Sequence, residues 1–269
     1  MRPTACKFAA VIWLVAAWLG AGIAQADTGG SDQAKLAQNP VANVISVPFQ
    51  ENMNLNVGPQ RRNESVLDVE PVIPITLNSN WNIITRTIVP IISAPGPTGN
   101  RTSGVGDTVF TPFLSPSHPS GWIWGAGPAI EAPTHSSSVL GNNHWGAGAS
   151  YVVLHVAADS PWLYGVLVNN IWSVGGGKSP AYNNGLIEPF VNYNLRGGMY
   201  LTSNDIITVD WKAPGSRQWT VPLGGGVGKI VHVGLLPVNV QVSAYYNVVR
   251  PTYAGNWDAR LEVQFLFPK

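Results

Sequence analysis

The sequence predicts an all-β fold, an antiparallel transmembrane β-barrel of about twelve strands (ten to fourteen) behind a removable leader. Three observations predict it. Charged residues make up only 11% of the chain while 45% is apolar, whereas roughly a quarter of an ordinary soluble domain is charged. From Val44 onward apolar and polar residues alternate with period two, the period of a strand whose side chains point to its two faces in turn. The alternating segments each run to about ten to twelve residues, which suits a tilted membrane crossing; ordinary strands average about five or six.

Taken in order, the chain opens on a positive n-region (Arg2, Lys7), an apolar stretch from Phe8 to Ile23 and the small-x-small site Ala24-Gln25-Ala26. This is a secretory signal peptide over residues 1–26. Cys6 is the only cysteine and leaves with it, which excludes disulfides, thiolate metal sites and a cysteine nucleophile from the mature chain. The net charge is +1, and −1 once Arg2 and Lys7 are removed, so no basic patch is left for nucleic acid. So much apolar and aromatic content at so little net charge also excludes disorder. Residues 27–42 are small and polar (Gly29, Gly30, Ser31, Asp32) and read as a flexible, extended N-terminal arm, free to enter the lumen. The barrel itself is expected over 43–269.

Strands are expected near 44–56, 66–77, 81–91, 104–114, 121–131, 145–156, 161–172, 186–195, 198–211, 217–228, 238–249 and 257–267. They are separated by Gly, Pro, Asn and Ser clusters that favour turns. The last is the clearest: Trp257, Ala259, Leu261, Val263, Phe265 and Phe267 alternate with Asp258, Arg260, Glu262 and Gln264. In the one before it, Val238, Val240, Val242, Ala244, Tyr246 and Val248 oppose Asn239, Gln241, Ser243 and Asn247. Leu67, Val69, Ile73 and Ile75 oppose Asp68 and Glu70; Ile187, Val191 and Tyr193 oppose Glu188, Asn192 and Asn194. The phase breaks at Asn204 and Asp205, which marks a bulge or turn. Gly224, Gly226 and Gly228 share one strand face, where missing side chains suit sharp curvature or a packed insert.

Two-faced strands also suit a soluble lipocalin-like binding barrel, with the apolar face inward. Aromatic placement favours the membrane. Trp81, Trp122, Trp145, Trp162, Trp172, Trp211, Trp219 and Trp257 fall near segment ends, where interfacial girdles belong, and the chain closes on an alternating aromatic strand.

The stretches WNIITRTIVPII (Trp81–Ile92), GVGDTVFTPFLSP (Gly104–Pro116), WTVPLGGGVGK (Trp219–Lys229), YYNVVRP (Tyr245–Pro251) and QFLFPK (Gln264–Lys269) resemble a bacterial family known as the MetA pathway of phenol degradation. Its members are also called transporters or, misleadingly, neuromedin U. The resemblance spans about Pro40 to the C-terminus. It implies a barrel in the bacterial outer membrane for uptake of small organic compounds, without making phenol the substrate.

Motifs for catalysis are thin. Gly175-Gly176-Gly177-Lys178-Ser179 ends like a phosphate loop, but Trp172 stands where its first glycine belongs, and it reads as an inter-strand loop. His118, His135, His144, His155 and His232 are scattered; His135 and His144 share a loop without a nearby acid, so no metal and no cofactor is expected. A barrel hydrolase needs a Ser–His pair with an orienting group, and His155 falls on the presumed lipid face, so no enzyme is expected. Function is expected on the polar phase, at Glu70, Arg86, Glu131, Glu188, Asp210, Arg260 and Glu262, with Asp107 beside them. These residues suit a lumen that orients polar solutes equally with an ion-pair network that plugs a barrel roughly 24 Å across. The expected function is a passive channel for small organic molecules, aromatic or apolar ones among them; a plugged structural barrel is the alternative. The expected partners are outer-membrane lipid, the solute, and the barrel-assembly machinery through the strand ending at Phe267.

Overall fold

The structure, a computed structural model, describes residues 28–96, 99–157, 159–176 and 180–268. The signal peptide and the Gly177–Ser179 part of the glycine-rich loop lie outside the described residues. The strands are β1 (Ile45–Val57), β2 (Arg62–Val69), β3 (Val72–Thr76), β4 (Trp81–Pro95), β5 (Arg101–Val105), β6 (Thr108–Pro116), β7 (Trp122–Ala132) and β8 (His144–Val156). They continue as β9 (Trp162–Gly176), β10 (Asn183–Asn194), β11 (Met199–Asn204), β12 (Ile207–Asp210), β13 (Trp219–Val233), β14 (Leu236–Val249) and β15 (Trp257–Phe267).

Three pairs form single staves interrupted once. β2 and β3 part at Glu70–Pro71, where proline has no N–H to give the ladder; β5 and β6 part at Gly106–Asp107; β11 and β12 part just after Asn204, where the phase breaks. The result is a closed twelve-stave antiparallel barrel. Each stave pairs with the next in sequence, and β15 returns to β1 from Leu55↔Trp257 to Ile45↔Phe267. Closure removes the sheet edges, which lipid, offering no hydrogen bonds, would leave unsatisfied.

Turns are short at the end where the chain termini meet (77–80, 117–121, 195–198, 234–235) and longer at the other (133–143, 211–218, 250–256). Short periplasmic turns and long extracellular loops are the outer-membrane pattern. Asn78 Oδ1 accepts the amides of Asn80 (2.9 Å) and Trp81 (3.0 Å), closing the turn before β4. Gly234, at φ 63°, opens the two-residue β13–β14 hairpin, whose twist needs a positive φ that glycine adopts without strain.

The apolar phase faces outward. Phe49, Ile73, Ile75, Ile91, Leu201 and Leu223 are exposed by 37% to 57%, the opposite of a soluble binding barrel. Glu51 is an exception on this face, and its carboxylate accepts the Ser65 hydroxyl at 2.6 Å. The tryptophans form two belts. At the short-turn end Trp81 packs edge-on with Trp124 (5.7 Å), Trp122 with His155 (5.0 Å) and Trp162 with Tyr193 (4.7 Å). At the loop end Trp211 packs with Trp219 (5.6 Å) and Trp257 with Tyr246 (5.2 Å), while Trp145 and Trp172 are exposed. Such rings carry a polar tip on an apolar body, and Trp211 Nε1 donates to Asn170 Oδ1 at 2.7 Å.

One expectation is corrected. The arm is not extended: Thr28–Ala37 forms a helix, α1. Ten residues with glycine at two positions make a marginal helix alone, so docking supplies its stability. It ends where Asn39 Oδ1 accepts the Val41 amide (3.0 Å) and Pro40 disfavours a helical residue before it. The inner wall is not uniformly polar. Ile84, Phe113, Val152, Leu154, Leu163 and Leu167 point inward and form a buried cluster with Val41. Each buried side chain gains roughly 1.5–3 kcal/mol over a water-filled lumen, so this side of the barrel packs dry.

Candidate functional site

The lumen divides into a dry wall and a wet one. The dry wall is the cluster around Phe113 and Leu167. The wet wall is built by β1, β2, β4, β10, β11, β14 and β15, whose inward positions carry carboxylates, amides and two arginines, Arg86 on β4 and Arg260 on β15. Neighbouring strands set these residues side by side: Gln50 lies opposite Asp68 and Glu262, and Gln241 opposite Glu262.

Five of the expected lumen residues meet here. Arg86 reaches from β4 to Glu70, with Nη2 at 2.7 Å and Nε at 3.2 Å from the same Oε2. Arg260 donates to Asn52 Oδ1 (2.9 Å), to the Asn204 carbonyl (3.2 Å) and to Asp258 Oδ2 (3.3 Å), and lies 4.8 Å from the Tyr245 ring centre. Glu188 sits in the field of both guanidiniums. Glu262 is held by the Asn239 amide at 3.2 Å. The remaining amides extend the ladder, with Asn52 donating to Asp68 (3.0 Å) and Asn54 to Glu64 (3.1 Å).

Between the walls lies a cavity of about 110 Å³, lined by Glu70, Arg86, Glu188, Phe190, Gln241 and Glu262 among others. That is room for several waters, well short of the few hundred cubic ångströms of a drug-sized pocket. Gln241 Nε2 is buried without a protein partner, a donor that water in this cavity would satisfy, because buried polar groups are satisfied by water when protein does not do so.

The end of α1 and the segment after it cap the cavity, with Ala37, Gln38, Asn39 and Pro40 among its lining. Gln38 and Asn194 exchange amide hydrogen bonds at 2.9 and 3.2 Å, and Lys35 Nζ donates to the Ala157 carbonyl at 2.8 Å. Ala34 and Tyr200 share a buried cluster with Ala42, Val44, Ile230 and Leu266, and the Tyr200 ring lies across Gly228; any Cβ at 228 would fall on that ring. Within the glycine stripe, Gly228 makes room for the Tyr200 ring, while a Cβ at Gly224 or Gly226 would meet the β14 backbone. Tyr200 in turn donates to Asn239 (2.8 Å) and Gln241 (3.1 Å).

The other expected residues lie elsewhere. Glu131 and Asp210 line a separate depression toward the loop end, with Asn169 and Asn184. Asp107 lies near Glu131. It sits in the β5–β6 break and binds His135 Nδ1 at 2.6 Å, while His135 Nε2 meets Asn143 Oδ1 at 3.0 Å. His135 thus has the acidic partner that spacing did not suggest, since Asp107 stands 28 residues away and only the folded-back loop joins them. Among the described residues no cluster of three or more metal-ligating side chains occurs. Burial and the nearby Glu131 push the Tyr182 phenol, in the loop before β10, above its ordinary range. Sequence reasoning missed Tyr200 and Tyr245; Tyr245 shares its phase with Asn239, Gln241 and Ser243, the one signal that could have placed it inside.

No protein-family model matches the chain, and no curated protein matches it in sequence. Among solved structures it is similar to an outer-membrane channel from Pseudomonas putida F1, with 16% identity and a TM-score of 0.61 over 83% of this chain and 93% of that one. Outer-membrane phospholipase A from Escherichia coli matches at 14% identity and a TM-score of 0.45, over 89% and 98%. The first likeness shows the fold; the second is too distant to carry an argument. Both neighbours are outer-membrane barrel proteins.

Proposed function

We propose that this chain is an outer-membrane channel that passes small solutes through a narrow lumen, in line with its resemblance to the phenol-degradation transporter family. The observation that carries the reading is the cavity inside a barrel whose outer face is apolar and belted by tryptophan. Small organic molecules, aromatic or apolar ones included, are its solutes, because the cavity sets Phe190 beside Glu70, Arg86 and Glu188. The similar fold of a Pseudomonas channel supports the reading.

One observation favours the rival, a closed barrel that serves the envelope as structure: α1 and its tether cap the cavity at the short-turn end. The two readings part in planar bilayers. A channel shows discrete conductance steps and admits small organic solutes into liposomes; a structural barrel shows neither. Mobility of boiled against unboiled protein in SDS comes first, since a heat-dependent shift establishes that the material tested is a folded barrel.

A further inference from the structure

The charge on the inner wall is lopsided. Between the two tryptophan belts, Glu64, Asp68, Glu70, Glu188, Asp258 and Glu262 point inward. Among the described residues only Arg86 and Arg260 oppose them from the same wall. The chain as a whole is nearly neutral, so its positive charge has gone elsewhere. Arg62 binds the Gly99 carbonyl and Arg250 the Ala254 carbonyl, both at the loop rim. Lys35 bonds to a carbonyl in a periplasmic turn, and Arg101 lies on the outer face, bonded to Ser93 and Asn63.

The two inward arginines are also committed. Arg86 is spent on Glu70 at 2.7 Å and Arg260 on Asp258 at 3.3 Å. Glu262 has a neutral amide, Asn239, as its hydrogen-bond donor, and Glu188 faces the cavity with Glu70 and Glu262. A second, independent feature points to a solvated path: Gln241 is only 5% exposed, lines the same cavity and leaves its Nε2 without a protein partner.

We infer that the lumen is cation-selective, and that small monovalent cations, inorganic or alkylammonium, are the class it admits over anions. The inference rests on the channel reading. Low-dielectric walls focus the field of uncompensated charge along a narrow passage, and rings of Asp and Glu are how cation pores set their sign. The dry wall around Phe113 and Leu167 supplies the low dielectric on one side, and lipid supplies it beyond the barrel. An anion entering this cavity meets three carboxylates, Glu70, Glu188 and Glu262, against one guanidinium, Arg86, which is already paired with Glu70.

The test is the reversal potential of the full mature chain in a planar bilayer under a KCl gradient, at about pH 8 so that carboxylates are ionised. The expected potassium-to-chloride permeability ratio is on the order of ten, with tetramethylammonium also permeant. In the E188Q/E262Q variant, checked by its heat-dependent mobility, the ratio should fall at least threefold. A wild-type ratio at or below unity, or a ratio that the double substitution leaves unmoved, overturns the inference while leaving a channel. Folded wild-type protein without any conductance overturns the channel reading, and cation selection with it. If the double variant does not fold, the wild-type ratio and the E188Q ratio decide.

Discussion

Replacing Gly228 with alanine should unseat the N-terminal helix. A methyl at this position falls on the Tyr200 ring, which is 1% exposed and buried in the cluster that includes Ala34 of the helix. Overpacking of this kind costs about 1–3 kcal/mol. Swinging the ring away also breaks its hydrogen bonds to Asn239 and Gln241, about 1 kcal/mol when cavity water takes over part of them. The β13 ladder to β14 is untouched, so the cost is shared between the stave that carries Tyr200, β11, and the helix docked beside it. Taking about 2 kcal/mol as the share borne by docking, the undocked fraction rises about thirtyfold, since each 1.4 kcal/mol is a factor of ten. Hydrogen exchange of the amides at residues 34–38 should accelerate by that factor, and time-averaged conductance should rise with it. Gly175→Ala is the control, because a Cβ there meets nothing within 4 Å. Exchange and conductance in Gly228→Ala equal to those of the control would refute the idea that Tyr200 seats the plug.

Three further outcomes are expected. Glu70→Gln strands Arg86 in the wall and should cost about 3 kcal/mol or more, read as a lower temperature for the heat-dependent mobility shift, with the E70Q/R86M double variant recovering most of it. Asp107→Asn loses the charge that clips His135, and exchange across residues 134–143 should rise about tenfold while the mobility shift stays in place, one charged hydrogen bond being worth about 1.5 kcal/mol. In vesicles, tryptophan emission should be quenched more by lipids brominated near the glycerol than at the chain ends; the reverse order would put the belts at the wrong depth.

The fold was legible because the membrane imposes a simple rule on the outward face. β15 begins and ends where alternation does, at Trp257 and Phe267, and the phase break at Asn204 and Asp205 is the gap between β11 and β12. The inward face obeys no such rule. Val152, Leu154, Leu163 and Leu167 sit in segments where both phases are apolar, as in Val153 and Val166 beside them, so period two falls silent. Whether such positions pack dry or line water depends on which staves lie opposite, which no single segment states. The same holds for Asp107 and His135, joined by a loop fold, and for α1, whose helicity comes from the surface it docks on. Arg86, Glu188 and Glu262 were legible as inward residues because a charge in the polar phase of a membrane strand has one place to go. Their pairing was not.

The seam between β1 and β15 joins the first strand of the chain to the last, so its loop is nearly the whole barrel. Closing so long a loop carries the largest entropic cost of any pairing in the molecule, and contacts of such sequence separation slow folding. The helix that precedes β1 rests against β10, β11, β13 and β14, all made late in the chain. It cannot take its seat until the far wall exists, and the wall is not sealed until β15 meets β1. Plug and barrel are therefore completed together, and an assembly intermediate with an open seam is also one with an empty mouth.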